Sequence, residues 1–266
     1  MGGMSDVLLT GLKIGESARW HESRLWLSHW GTQQVLAVGL DGTAEVMAVV
    51  PTTMPFSIDW LPDGRMLVVA GPESRLLRRE PDGSLVDHTD LSGLGGGLNE
   101  IVVDGRGNIY VNGGTEFHPD AGVAPGFVAL VTPDGAARRV ADGIAFPNGM
   151  AVTPDGSTLI VSESFAGALT AFDIEPDGSL ANRRLWASVP GDGIVMDTEG
   201  ACGPRGGRTP DRRASGWPRA GRCWTRSRST GPGSRAPSAA RTAARCSCSP
   251  RTGGWRTASR TTSNAC

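Results

Sequence analysis

The sequence predicts an all-β protein built from repeated four-stranded units, and three observations predict it. First, a strand–turn–strand phrase recurs: "SARWHESRLWLSHW" (17–30), "IDWLPDGRMLVVA" (58–70), "IVVDGRGNIYVNG" (101–113) and "MAVTPDGSTLIVSE" (150–163). Each is an apolar run, an Asp/Gly turn and a second apolar run, which is a β-hairpin signal. Second, another class of hairpin alternates with the first: "VLAVGLDGTAEVMA" (35–48), "RLLRREPDGSLVDH" (75–88), "FVALVTPDGAARRV" (127–140) and "LTAFDIEPDGSLANRRLW" (169–186). Third, the pair of hairpins repeats about every 40 to 50 residues, the size of a β-propeller blade. A β-sandwich also has many short strands, but it is not expected to repeat a hairpin at this period.

Taken in order, the first unit covers residues 17–48 and the second 58–88. The third runs from 101 to 140 and carries an insertion, "GGTEFHPDAGVAPG" (113–126), between its second and third strands. The fourth runs from 150 to 186, and a fifth begins as "IVMDTEGA" (194–201) and stops after one strand. Each blade buries both faces against its neighbours, so an open ring leaves apolar surface on the flanks of blades one and four.

The chain divides at Ala201. Of its 266 residues, those after this point carry fourteen arginines and one acid, Asp211, and no Val, Leu, Ile, Met, Phe or Tyr. The overall net charge of −1 is therefore an average of a strongly acidic front and a strongly basic tail. All five cysteines lie in the tail, including the pair Cys246 and Cys248. A zinc module is not expected there, because no second Cys or His pair stands at ligand spacing. The genetic code supplies another explanation. Codons for large apolar residues have T as their second base, and a one-base shift turns them into Ser, Cys and Trp codons. Read one base back, "RCSCSP" permits "TLFVLA", "SGWPRAGRCWTRS" permits "VRVAEGGEVLDEI" and "GGWRTASRTTSNAC" permits "WRMADSFTDNLERL". Residues 1–201 are thus read as a partial β-propeller and residues 202–266 as an out-of-frame, disordered Arg/Ser/Gly-rich tail. A basic arm for nucleic acid is the rival reading. It accounts for the charge but not for strands restored by a shared frame, so no nucleic-acid partner is expected.

The opening "MGGMSDVLLT" has no basic segment or long apolar run of a secretory signal. No run reaches membrane-spanning length. With a cysteine-free front, this points to the cytoplasm and to no membrane partner.

Aligning the inner hairpins on their turns brings Glu16, Phe56, Asn99, Asn148 and Asp192 into register at intervals of 40, 43, 49 and 44 residues. Equivalent positions face the mouth of the central channel. Glu16, Asn99, Asn148 and Asp192 should converge there, with Phe56 as an apolar member of the ring. Carboxylate and amide oxygens suit a hard divalent cation. Any one Asn or Asp before a strand reads more simply as a turn residue that satisfies local backbone groups. Four on different blades argue for a site.

At these positions the chain resembles the SMP-30/gluconolactonase/luciferin-regenerating-enzyme-like family. The matching stretches are "IGESARWHESRLWLSHW", "PFSIDWLPDGRMLVV", "LNEIVVDGRGNIYVNGG", "GIAFPNGMAVTPDGSTLIVSES" and "GDGIVMDTEGA". The resemblance implies a six-bladed propeller, here cut to about four blades and a fragment. It also implies one divalent metal ion (Ca, Zn, Mg or Mn) and hydrolysis of sugar lactones. It assigns Glu16, Asn148 and Asp192 as metal ligands and Asn99 as a contact to water or substrate at the metal. Glu100 stands where many relatives carry Asp, and Gly97 where some carry Arg. Glu100 is taken as a substrate contact, as are Glu116 and His118 in the insertion, although a solvated loop is the simpler reading of the last two.

A divalent ion polarises a lactone carbonyl and lowers the pKa of bound water. Asp192 is the candidate general base. No G-x-S-x-G nucleophile motif is present. The expected function is metal-dependent hydrolysis of a small lactone, impaired by the truncated ring. The competing class is a non-enzymatic propeller that binds or scaffolds, because fold does not fix function.

Overall fold

The computed structural model describes residues 7–114, 117–118, 122–197 and 202–204. It contains four four-stranded antiparallel sheets in sequence order, each a propeller blade, and a two-stranded fifth sheet. Blade one is β1 (Gly15–His21), β2 (Arg24–His29), β3 (Gln34–Val38) and β4 (Ala44–Val49). Blade two is β5 (Phe56–Trp60), β6 (Met66–Ala70), β7 (Arg75–Arg79) and β8 (Leu85–Asp90). Blade three begins with β9 (Ile101–Val103) and β10 (Ile109–Gly113). A small hairpin follows, β11 (Phe117–His118) with β12 (Gly122–Val123), before β13 (Gly126–Val131) and β14 (Ala137–Ile144) complete the blade. Blade four is β15 (Pro147–Val152), β16 (Thr158–Glu163), β17 (Ala168–Ile174) and β18 (Leu180–Ala187). The fifth sheet pairs β19 (Ile194–Met196) with β20 (Cys202–Pro204).

The central strands read as unbroken apolar runs because both faces are covered. In β6, Val68 packs toward blade one while Leu67 and Val69 pack toward blade two's other neighbour, blade three. The next interface sets Tyr110, Val128 and Leu130 against Met150, Leu159 and Phe172. Each such side chain contributes on the order of 1.5–3 kcal/mol by leaving water. The inner strands β1, β5, β9, β15 and β19 follow one another around the channel.

Two sequence expectations change. The fifth sheet has a second strand, because Cys202 behaves as a small apolar residue and is fully buried among Ala151, Ile160 and Ile194. Blade one's outer flank is covered as well: Leu8, Leu9 and Leu12 pack on Leu25, Leu27, Leu36 and Val38. The proposed tail beyond 204 lies outside the described residues. Among the described residues, no helix is long and apolar enough to cross a membrane.

Candidate functional site at the channel mouth

The inner strands of blades one and four lose register at their first turns of chain. In β1 the pairing slips between Glu16 and Arg19, and in β15 between Pro147 and Met150. Such bulges re-aim side chains that a regular ladder would send to alternate faces. Ser17 adopts a φ of 49° in the first, and its hydroxyl accepts the Ile58 N–H of the next blade at 3.1 Å. The second places Gly149 against blade five, where its N–H donates to the Asp192 carbonyl at 2.9 Å. A Cβ on Gly149 would stand 2.3 Å from the Ile194 nitrogen, so the "PNG" sequence is demanded by close approach of two backbones.

Three of the predicted residues meet. Asn99 Nδ2 donates to Asn148 Oδ1 at 3.4 Å, and Asn148 Nδ2 donates to Asp192 Oδ1 in a short contact. They come from blades three, four and five. Asp192 is exposed as a residue, yet protein atoms around its carboxyl desolvate it and raise it above its ordinary value; the negative charge of Glu100 raises it further, and the Asn148 bond offsets part of this. Glu100 is buried and forms an ion pair with Arg19, whose Nη2 lies 3.1 Å from Glu100 Oε2 and 2.9 Å from the Ile101 carbonyl. Arg19 thereby links blade one to blade three. Asp59, on the inner strand of blade two, accepts the Val103 N–H at 2.8 Å. Its carboxyl is raised by burial, with Arg19 opposing.

Glu16 holds the corresponding position in β1, paired with Ser28 across the ladder. Phe56 does not line the mouth. β5 has no bulge, and the ring is buried in the core between blades one and two. The insertion leaves β10 at the end where Asn99 stands and forms the β11–β12 hairpin; His118 lies on β11, and Glu116 lies outside the described residues. Sequence reasoning missed Arg19 and Asn112. Asn112 is fully buried in β10, donates to the Asn148 carbonyl and accepts the Glu100 N–H at 3.1 Å.

The donor set suits a hard cation. Asp192, Asn148 and Asn99 offer carboxylate and amide oxygens, and a divalent ion would offset both the desolvation and the Glu100 charge that raise the Asp192 carboxyl. Among the described residues, no group of three His, Cys, Asp or Glu side chains stands together, so any metal here is held partly by amides. At the opposite end of the strands, a cavity of about 410 Å³ lies between the Asp104–Arg106 and Thr153–Gly156 turns. Its carboxylates are committed to those turns: Asp104 accepts from Arg106 and Asn108, and Asp155 from Thr153 and Ser157.

Residues 14–203 match the family described as SMP-30/Gluconolactonase/LRE-like region. Among solved structures, the chain is similar to a gluconolactonase from Xanthomonas campestris, at 28% identity over 73% of this chain and 70% of that one, with a TM-score of 0.60. It is also similar to the calcium-binding protein regucalcin from Agrobacterium tumefaciens, at 19% identity over 75% and 70% of the two chains, with a TM-score of 0.61. A luciferin-regenerating enzyme matches at 19% identity over 71% and 67%, with a TM-score of 0.60. The last two likenesses concern the fold.

Proposed function

Because this chain belongs to the SMP-30/gluconolactonase/LRE-like family, we propose that its channel mouth binds one divalent metal ion and hydrolyses a sugar lactone or another small lactone. The family and the gluconolactonase similarity support a lactonase-type function. The observation that carries the reading to particular residues is the Asn99–Asn148–Asp192 chain of contacts across three blades. Asn148, Asp192 and Glu16 are the residues that would hold the ion, and calcium is the first candidate because a regucalcin with the same fold binds it. The bound ion supplies Lewis acidity at the lactone carbonyl.

The chain's own residues do the rest. Asp192 takes a proton from the attacking water at a carboxylate oxygen. Water oxygen bonds to the carbonyl carbon, the ring C–O bond breaks, and the proton passes to the departing alkoxide, leaving a hydroxy acid. Asn99 and Glu100 orient the substrate, Glu100 in a carboxylate setting fixed by Arg19. Glu116 and His118 belong to the same proposal as contacts from the insertion. The cysteine-free front supports a cytoplasmic setting.

The test follows hydrolysis of glucono-1,5-lactone with Ca²⁺, Zn²⁺ or chelator. It uses the 266-residue chain and the product of a gene with one base restored after codon 201. Turnover requires the ion and is faster for the restored product. Full activity in chelator overturns the proposal. Absence of both turnover and any divalent-dependent thermal shift favours a binding or scaffold propeller.

A further inference from the structure

The second strand of each blade carries, one residue beyond its central apolar pair, a side chain aimed at the head of the next blade's inner strand. Strand register and the packing of preceding residues place Ser28, Val69, Asn112 and Ser162 at this position in blades one to four. Three are short or apolar. The Ser28 and Ser162 hydroxyls are buried and form no hydrogen bond with the described protein. Blade three carries an amide, and the amide reaches across.

Asn112 is a junction of four hydrogen bonds. Its carbonyl accepts the Asn99 N–H at 2.9 Å, and its own N–H donates to the Glu100 carbonyl at 3.0 Å. These main-chain bonds would survive with any residue but proline. The side chain adds the other two: Oδ1 accepts the Glu100 N–H at 3.1 Å, and Nδ2 donates to the Asn148 carbonyl. The partners determine which end of the amide is which, because a backbone N–H needs the oxygen and a carbonyl needs the nitrogen. Asn112 is 0% exposed, so losing either bond would leave a buried polar group unpaired.

We propose that Asn112 is the positioning residue of the channel mouth: its side chain sets the backbone of Asn148 and Glu100, and so the aim of the oxygen donors on blades three and four. The inference rests on the metal-lactonase reading. Asn148 lies in a bulge, where the ladder does not hold its main chain, so a bond from outside the strand has most to contribute there. Groups behind metal ligands typically change affinity or activity about 10- to 100-fold when removed.

The decisive experiment titrates the 266-residue chain with Ca²⁺, and separately with Zn²⁺, by calorimetry, and records the metal-free melting temperature. Asn112→Ser installs the residue that blades one and four already carry there, while Asn112→Asp keeps the acceptor for Glu100 and removes the amide donor. Both are expected to weaken ion affinity at least about 10-fold. Tyr110→Phe is the control. It removes the Tyr110 hydroxyl bond to the Gly178 carbonyl, 3.0 Å, two residues away in the same strand. It should lower the melting temperature and leave affinity unchanged. Affinity within about 2-fold of wild type in both Asn112 variants, or an equal loss in Tyr110→Phe, overturns the assignment. If neither the 266-residue chain nor the product of the base-restored gene binds either ion, the metal-lactonase reading itself is overturned, and the positioning role with it.

Discussion

The two ends of the propeller strands use the same residue types for different work. At the turn end, each aspartate is folded into its own loop. Asp155 accepts from Thr153 and Ser157, Asp134 from Thr132 and Ala136, and Asp177 from Ser179, with Arg138 of blade three adding an ion pair to the last. Their carboxyls are held below the ordinary range by these bonds. At the mouth end, Asn148 and Asp192 reach between blades, and partial desolvation of the carboxyl with a neighbouring negative charge pushes Asp192 the other way. A carboxylate held by its own turn is stabilised as the anion by that loop's N–H and O–H donors. One that is desolvated and feels the charge of Glu100 on another blade gains by binding a cation.

The largest effect should come from removing the mouth donors. Asp192→Asn or Asn148→Ala is expected to lower lactone hydrolysis about 100-fold or more and to abolish divalent-dependent thermal stabilisation. Asp155→Ala at the turn end should leave both within about 2-fold of wild type, because no oxygen at the mouth moves. Equal losses at the two ends would break the comparison. Gly149→Ala comes next. Its Cβ would meet the Ile194 nitrogen and the Asp192 carbonyl, so blades four and five must separate. Overpacking of this kind costs about 1–3 kcal/mol, and activity should fall further than stability accounts for. Wild-type turnover in a folded Gly149→Ala protein would show that the approach of the two strands does not shape the site.

A third variant probes a carboxylate of mixed character. Burial raises the Glu163 carboxyl, but bonds from the Ala145 N–H, Thr170 and Arg183 outweigh it and hold it below its ordinary value. Its contribution is present above the unfolded pKa and lost as pH falls through the folded one. Glu163→Gln should therefore flatten the acid limb of a melting-temperature profile below about pH 4.5, the unfolded range for glutamate. An unchanged limb contradicts this. The smallest effect belongs to Asp177, held at about 2 by the Ser179 N–H, the Ser179 hydroxyl and Arg138. Its stabilisation is complete above the unfolded aspartate value of about 3.9 and declines from there through about pH 2. Asp177→Asn should reduce the acid slope in that window alone.

The turn end was readable in the sequence because each Asp/Gly turn closes on residues within two or three positions. The repeat of these turns also located Asn99, Asn148 and Asp192, which the structure joins. Phe56 shares their register, yet it packs in the core between blades one and two; β5 pairs in unbroken register, whereas the heads of β1 and β15 are bulged. Periodicity carries no signal for a bulge. Arg19 and Asn112 escaped notice for a related reason: their partners lie 81 and 36 residues away, on other blades. Composition groups Cys202 with the tail, whereas burial beside Ile194 makes it part of the fifth sheet.

Anomalous diffraction from Mn²⁺-soaked crystals of the chain tests the central claim most directly. One strong peak is expected at the channel mouth, about 2–2.6 Å from a side-chain oxygen of both Asn148 and Asp192. A peak among the turn-end aspartates, or none at the mouth, would contradict it.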